Sequence, residues 1–198
     1  DQIEKYTEET TKKKSEFKMR PFWEDSPTID EARKAMTEAR KWLEKENVIF
    51  EEKLSLCHTF EFPQIIKKAK ADFEEMRSDL VEIAKVWNVI EELKNYLADV
   101  NTYIWSDMNL EGMEDDSKKN IKEVKNLHKT IRFSKSYQYA SKLATDYLNT
   151  VPLIQLLAAP CMRQRHWNDL KTIKKEDFPS PLEKKNTVLG DILELELH

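Results

Sequence analysis

Apolar residues recur at helical intervals along most of this chain. Between residues 64 and 105 there is no glycine or proline, and apolar positions alternate in steps of three and four, the period of one helix face. These positions are Ile66, Ala69, Phe73, Met76, Leu80, Ile83, Trp87 and Ile90, continued after a one-residue shift by Leu93, Leu97, Val100 and Ile104. At about 1.5 Å per residue the stretch would span roughly 60 Å. The pattern predicts one rod, or two helices broken near Lys94.

Another long helix is predicted before this one. Thr28 and Glu31 match the T-x-x-E capping box that begins a helix, and residues 59–64 (TFEFPQ), which include Pro63, end it. Apolar residues form one stripe with a period of seven and a second stripe beside it: Ile29, Met36, Leu43, Phe50 and Cys57, then Trp42, Ile49 and Leu56. The double stripe fits a helix packed between two neighbours of its own bundle, or a coiled coil with a foreign partner.

Shorter helices are predicted in the second half of the chain. Residues 109–112 are expected to stop the preceding helix, and the acidic residues 114–116 to cap the next one. The apolar positions of two successive helices are Ile121, Val124, Leu127 or His128, and Ile131, followed by Tyr137, Ala140, Ala144, Tyr147 and Val151. Residues 178–181 (FPSP) predict an extended loop, after which Thr187 is expected to cap a final helix.

The amino-terminal residues are the least defined part of the sequence. Residues 1–20 are charged and threonine-rich, and fit either the end of a preceding helix or a disordered lead. Pro21 and Pro27 then interrupt any helix, because a proline disfavours the helical conformation in the residue before it. We therefore divide the chain into a lead-in at 1–27, a long-helix bundle at 28–150 and a region of short helices at 151–198.

Helical periodicity alone does not explain the run VPLIQLLAAPCMRQRHW at residues 151–167. Its first half is too rich in aliphatic residues for one solvated face, so we expect it to be buried on most sides. Pro152 and Pro160 are each expected to begin a short helix, where a missing amide donor costs least. On the second helix, Met162, His166 and Ile173 share one face, with Arg163, Trp167 and Leu170 close beside it.

This run resembles the linker region of dynein heavy chains. In that family an aliphatic-Pro-aliphatic-aliphatic run leads, about a dozen residues later, into a basic-x-Arg-His-Trp signature. The residues that fit the pattern are Pro152, Leu153, Ile154, Leu157, Met162, Arg163, Arg165, His166 and Trp167. The ending TVLGDILELELH is similar to the leucine-rich helix that follows in the family. The specific resemblance covers residues 151–198, and a looser one begins near Thr28.

The resemblance implies a mechanical role without an active site in this segment. The family's ring of AAA+ modules, where ATP and Mg are bound, lies C-terminal to the linker, which changes position across the ring and pulls the tail. Expected partners are the rest of the heavy chain, other dynein subunits and the microtubule-based complex. The carboxyl-terminal ending resembles axonemal more than cytoplasmic dyneins, so we expect the protein in the cytoskeleton of a cilium or flagellum. The alternative is a spectrin-like or coiled-coil scaffold module that binds a partner helix.

Composition supports an all-α fold and excludes some partners. The chain has 198 residues, 39% of them hydrophobic and 35% charged, and only two glycines, too few for a fold with many tight β-turns. We therefore predict an elongated all-α bundle of long antiparallel helices, followed by short helices punctuated by proline. A net charge of −4 gives no strong field for nucleic acid or an anionic membrane, and neither is an expected partner. The isolated Cys57 and Cys161 fit a reducing compartment.

Catalytic and metal-binding motifs are not apparent in the sequence. A P-loop needs two glycines five residues apart, whereas Gly112 and Gly190 are widely separated, and no H-E-x-x-H motif surrounds any histidine. We therefore expect no catalytic residue, cofactor or metal in this segment, and no enzyme activity. For the signature, two interpretations remain open. Arg163, Arg165 and His166 form a docking surface, or His166 and Trp167 belong to the core with the arginines capping or pairing nearby.

Overall fold

The structure is a computed structural model that describes residues 2–59 and 66–195. Within these ranges the chain forms α-helices and short 3-10 helices, with one isolated antiparallel bridge between Ile104 and Val188. The α-helices are α1 (Gln2–Lys18), α2 (Ile29–Thr59), α3 (Lys67–Val100), α4 (Leu110–Asn126), α5 (Lys135–Leu157), α6 (Gln164–Lys174) and α7 (Leu189–Leu193). The 3-10 helices are Pro21–Trp23, Trp105–Asp107 and Lys129–Ile131. The all-α prediction is confirmed.

The contacts divide the chain into two compact units. Unit 1 contains Asp1–Ile90 and Asn126–Ala140, and unit 2 contains Glu91–Lys125 and Ser141–His198. The boundary between the units falls inside α3 and inside α5, so each of these helices contributes residues to both units. The sequence-based ranges 1–27, 28–150 and 151–198 stay a prediction about domain organisation.

The charged amino-terminal segment is the helix α1, which packs into unit 1. Of the two interpretations left open for residues 1–20, the structure shows the helix. α1 buries the apolar side chains of Tyr6 and Phe17, and its lysines add charged contacts beside them. Its lysines make ion pairs with carboxylates of α2 and α3: Lys13 with Glu46, Lys14 with Asp72 and Glu75, and Lys18 with Asp79.

The predicted interruption after α1 is a buried aromatic turn. α1 ends at Lys18, and the 3-10 helix Pro21–Trp23 buries Phe22 and Trp23 completely or nearly so. The indole nitrogen of Trp23 donates to the carbonyl oxygen of Phe17 at 3.0 Å, and that of Trp87 donates to the carbonyl of Phe22 at 2.8 Å. Because both buried indole N–H groups have partners, hydrogen bonds offset the cost of removing these N–H groups from water.

The helices α2 and α3 follow the predicted pattern closely. The backbone N–H of Thr28 donates to the Glu31 carboxylate at 2.8 Å, and the N–H of Glu31 donates to Thr28 Oγ1 at 3.3 Å, which confirms the capping box. The seam between the helices is buried, with the Phe50 and Phe73 rings 5.5 Å apart. α3 is continuous through Lys94, so the single-helix alternative holds. Its predicted continuation to Ile104 and its predicted stop at residues 109–112 are wrong, because α3 already ends at Val100 and Ile104 lies in the isolated bridge. Residues 60–64 of the predicted break lie outside the described residues.

The prediction for the start of α4 is wrong. α4 already begins at Leu110, and its cap is Asn109, whose side-chain oxygen accepts from the Gly112 N–H at 3.0 Å. The acidic residues 114–116 lie inside the helix. The Asn109 side chain supplies the acceptor that the first free N–H groups of a helix need. Gly112 therefore lies in the first turn of α4 and does not mark the end of a helix. Leu127 takes the buried position that the sequence left open between Leu127 and His128.

Candidate functional site

The candidate site is the signature region of unit 2, from the end of α5 through α7. The prediction that a helix begins at Pro152 is wrong, because α5 runs through Pro152 as far as Leu157. Pro152 is exposed, while its neighbours Val151 and Ile154 are buried. The proline leaves the carbonyl four residues earlier, that of the half-buried Leu148, without its helical donor. Burial of the opposite face holds the helix together across the proline.

The aliphatic half of the run is not buried on most sides, contrary to the expectation from its density. Val151 and Ile154 enter a core with Val100, Met113, Tyr147 and Leu189. Leu153 is substantially exposed and Leu156 is 68% exposed. Leu157 is half-buried and packs against a second core. The run is therefore an ordinary amphipathic helix end with two exposed leucines.

The turn between α5 and α6 precedes the signature helix. Pro160 and Cys161 are exposed in this turn, and α6 begins only at Gln164, so a helix start at Pro160 is also wrong. The N–H of Arg163 donates to Nδ1 of His166 at 3.0 Å. This bond satisfies one amide at the start of the helix, as a capping box does, with an imidazole in the place of a carboxylate. It sets the orientation of His166, which is half-buried.

Trp167 is the buried centre of the signature. Its side chain is 1% exposed and forms a core with Phe178 and Ile192. The Trp105 ring meets it edge to face, with centroids 6.1 Å apart. The partly buried side chains around this core are Trp105, Leu157, Met162, Leu170 and Leu195. Two residues of the resemblance, Leu157 and Met162, thus pack on a third, Trp167.

The two signature arginines lie outside this core. Arg163 and Arg165 are exposed, and within the described residues neither makes an ion pair with a carboxylate. Arg165 Nε lies 3.1 Å from Nε2 of His166. The sequence offered the signature as a docking surface or as core. The structure places Trp167 in the core and both arginines at the surface. The docking role of the arginines stays a prediction.

A polar clamp fixes the loop after α6, and the sequence reasoning missed it. Ser180 is fully buried, and its hydroxyl donates to Gln164 Oε1 at 2.8 Å. The Ser180 N–H donates to the Glu183 carboxylate at 2.9 Å, and the Glu183 N–H donates to Ser180 Oγ at 3.2 Å. The Ser180 amide and then Lys171 hold the pKa of Glu183 below its usual range. The S-x-x-E spacing at 180–183 is the signal that would have found this reciprocal pair.

The helix α7 is docked by backbone hydrogen bonds. The N–H groups of Leu189 and Gly190 donate to the carbonyls of Tyr103 and Asn101, both at 2.9 Å. A Cβ atom at Gly190 would lie 3.0 Å from the Asn101 carbonyl oxygen, so glycine permits this approach. Thr187 does not cap the helix as predicted. Its hydroxyl bonds the Lys184 carbonyl, and Asp191 instead accepts from the Val188 N–H at 3.2 Å.

A pair of tyrosine hydroxyls lies beside the first of these cores. The hydroxyls of Tyr96 and Tyr147 are 3.1 Å apart, and Tyr96 also donates to Asp116 at 3.3 Å. Burial, followed by the Tyr147 contact, raises the pKa of Tyr96 far above its ordinary value, and burial also raises the pKa of Tyr147. Both phenols are therefore neutral hydrogen-bonding groups near neutral pH. They tie α3 to α5 within unit 2.

Residues 2–59 and 66–195 contain neither a metal-binding cluster nor a membrane-spanning helix. No group of three or more His, Cys, Asp or Glu residues is arranged there to hold a metal ion. No helix in that part of the chain has the length and apolar character needed to cross a bilayer. The expectation of no cofactor and no catalytic residue stays a prediction.

These observations define an all-α protein whose signature helix packs around a buried tryptophan. The family described as "Dynein heavy chain, N-terminal region 2" matches residues 73–198, well over half of the chain. The chain belongs to the dynein heavy chain family, and it lies in the amino-terminal part of the heavy chain. This result confirms the resemblance seen in the sequence.

Individual relatives agree with this family. The chain is 30% identical to "Dynein alpha chain, flagellar outer arm" of Chlamydomonas reinhardtii over 100% of its own length, which is 4% of that protein. It is 30% identical to "Dynein beta chain, ciliary" of Tripneustes gratilla over 67% of this chain and 3% of the relative. "Dynein axonemal heavy chain 17" of Homo sapiens is 26% identical over the same shares. The chain therefore spans about 4% or less of the length of these relatives.

Proposed function

We propose that this chain is a mechanical linker segment of a dynein heavy chain. It transmits force between the tail and the ATP-hydrolysing AAA+ ring of a microtubule motor, and it has no active site of its own. Its partners are the rest of the heavy chain and other dynein subunits, with ATP and Mg bound elsewhere in the parent protein. The names of the relatives, which are flagellar, ciliary and axonemal dyneins, support a location in an axoneme.

The observation that carries the proposal is the way the signature helix is held. Trp167 anchors α6 in a buried core, and the Ser180–Glu183 clamp fixes the following loop to Gln164 of the same helix. Close-packed interiors of this kind have low compressibility and transmit strain, because their side chains cannot be rearranged gradually. Within unit 2, α6 and its neighbouring loop should therefore move together under load. The resemblance to the dynein linker gives that stiffness its function.

A spectrin-like scaffold is the alternative that the sequence left open. Its partner helix would lie along the second stripe of α2, where Ile49 and Leu56 are partly exposed. Family membership favours the linker, because the matching segments of the relatives belong to dynein heavy chains over residues 73–198.

The experiment compares two alanine variants in the full-length heavy chain. Trp167→Ala removes the anchor, and Ile173→Ala changes an exposed residue of the same helix as the control. We expect Trp167→Ala to slow microtubule gliding while the ATPase rate per motor stays close to that of the parent protein, and Ile173→Ala to change neither. If Trp167→Ala left gliding unchanged, or lowered gliding and ATPase in proportion, the segment would not be the element that transmits force.

A further inference from the structure

The antiparallel helices α2 and α3 of unit 1 have two long grooves, one on each side of their buried seam. The helix α1 fills one of them. Lys13 pairs with Glu46 of α2 at 2.6 Å, and Lys14 pairs with Asp72 of α3 at 2.9 Å. This groove is lined by carboxylates and is occupied by a helix rich in lysine. The pairing of opposite charges thus selects the helix that lies there.

The second groove carries two arginines and one glutamate in its central cleft. Residues two apart on a helix point about 200° away from each other, so Arg77 lies on the far side of α3 from Asp79, which faces α1. Arg77 and Arg40 of α2 line a common cleft of about 240 Å³. Its apolar lining is Leu43 and Leu80, which are buried, and Val81.

Both arginines of this cleft lack partners among the described residues. Neither Arg40 nor Arg77 makes an ion pair or a hydrogen bond there, and Glu44 is the one acidic residue of the lining. Val81 is 56% exposed, and Val48, one turn after Glu44, is 60% exposed. Unpaired guanidinium groups beside exposed aliphatic side chains are typical of binding surfaces, where arginine is enriched.

We propose that this second groove binds an acidic amphipathic helix of a partner polypeptide. Carboxylates of that helix pair with Arg40 and Arg77, and an aliphatic side chain between them covers Leu80 and Val81. Arginine forms bidentate hydrogen bonds with carboxylates, so it selects for acidic side chains and against basic ones. In the occupied groove the charges are reversed, because the carboxylates belong to α2 and α3 and the lysines to the bound helix α1. α2 and α3 thereby lie between the lysines of α1 and an acidic helix from outside.

The test uses two fluorescein-labelled peptides of about 18 residues that form amphipathic helices in isolation. One carries leucine on one face and glutamate on the flanks, and the other has lysine in place of every glutamate. Binding to the 198-residue chain is measured by anisotropy. We expect the acidic peptide alone to bind, with an affinity that falls as salt is raised, because exposed charge pairs are screened. Arg40→Glu and Arg77→Glu should each weaken binding about tenfold or more.

Lys41→Glu is the matched control, because Lys41 is exposed and follows Arg40 in α2 but does not line the cleft. It should bind the acidic peptide as the parent chain does. Equal binding of the acidic and basic peptides, or unchanged binding by both arginine variants, would overturn the proposal. Sedimentation gives the third outcome. If the chain forms a dimer that Val81→Asp dissociates, then a second copy fills the groove and no acidic partner is needed.

Discussion

Replacing Trp167 with alanine tests the packing of the signature core. The indole is 1% exposed, packs against Phe178 and Ile192, and meets the Trp105 ring edge to face at 6.1 Å. Alanine removes this contact area and leaves a cavity that the surrounding helices can only partly close. Such Trp→Ala changes cost about 3 to 5 kcal/mol, and loss of the aromatic pair with Trp105 contributes to that sum.

The assay is urea unfolding followed by helical circular dichroism. We expect Trp167→Ala to lower the free energy of unfolding by about 3 to 5 kcal/mol, with the slope against urea unchanged if unfolding stays two-state. Ile173→Ala on the same helix, where the side chain is 77% exposed, should change it by about 0.5 kcal/mol or less. A loss below about 1 kcal/mol for Trp167→Ala would show that the ring is not buried. The reasoning about the signature core would then be wrong.

Three other variants test separate parts of the structure. Thr28→Ala removes the α2 cap and should lower the free energy of unfolding by about 1 kcal/mol in the same urea assay. Pro152→Ala restores a helical amide at an exposed position and should raise the free energy of unfolding by up to about 3 kcal/mol. A lower free energy of unfolding would show that the proline stabilises α5. Burial, followed by the charge of Glu46, raises the pKa of Tyr6 from 10.0 to about 12. The stability linked to the protonated Tyr6 hydroxyl is therefore present below pH 10 and is lost as the pH rises towards about 12. Tyr6→Phe should therefore lose less stability than the parent chain between about pH 9.5 and 11.5, and equal losses would contradict the shift.

The long helices could be predicted from the sequence because many positions repeat the same signal. Along α3, the residues from Ile66 to Ile90 that share the three-four spacing are all buried. The start of α2 was equally clear, since Thr28 and Glu31 specify the cap by themselves. Each of these signals is local, so no knowledge of the packing was needed.

The structure of the signature region was harder to predict from the sequence, because it depends on tertiary packing. Pro152 would break an isolated helix, but buried Val151 and Ile154 hold α5 together on the opposite face. The aliphatic density of the run did not show that Leu153 and Leu156 point outward. No residue pattern indicated that Trp105, more than sixty residues away, would meet Trp167. Contacts at such separations are determined by the fold as a whole.

Some helix caps could have been predicted from the sequence, but another local signal nearby pointed to a different residue. In the sequence, Gly112 after Asn109 indicates a helix stop, and the leucine-rich run after Thr187 indicates a cap at Thr187. The structure uses Asn109 itself as a cap and places Asp191 at the start of α7. The S-x-x-E pair of Ser180 and Glu183 obeys the rule that identified Thr28, but it lies in a loop flanked by prolines.

The most direct test of the linker role measures force and not speed. Single full-length motors, held at the tail in an optical trap, would be compared for the parent protein, Trp167→Ala and Ile173→Ala. We expect Trp167→Ala to lower the stall force and the stiffness of the attached motor at an unchanged ATPase rate, and Ile173→Ala to match the parent protein. Equal stall force and stiffness in all three motors, with Trp167→Ala shown to destabilise the segment, would contradict a load-bearing role for this part of the heavy chain.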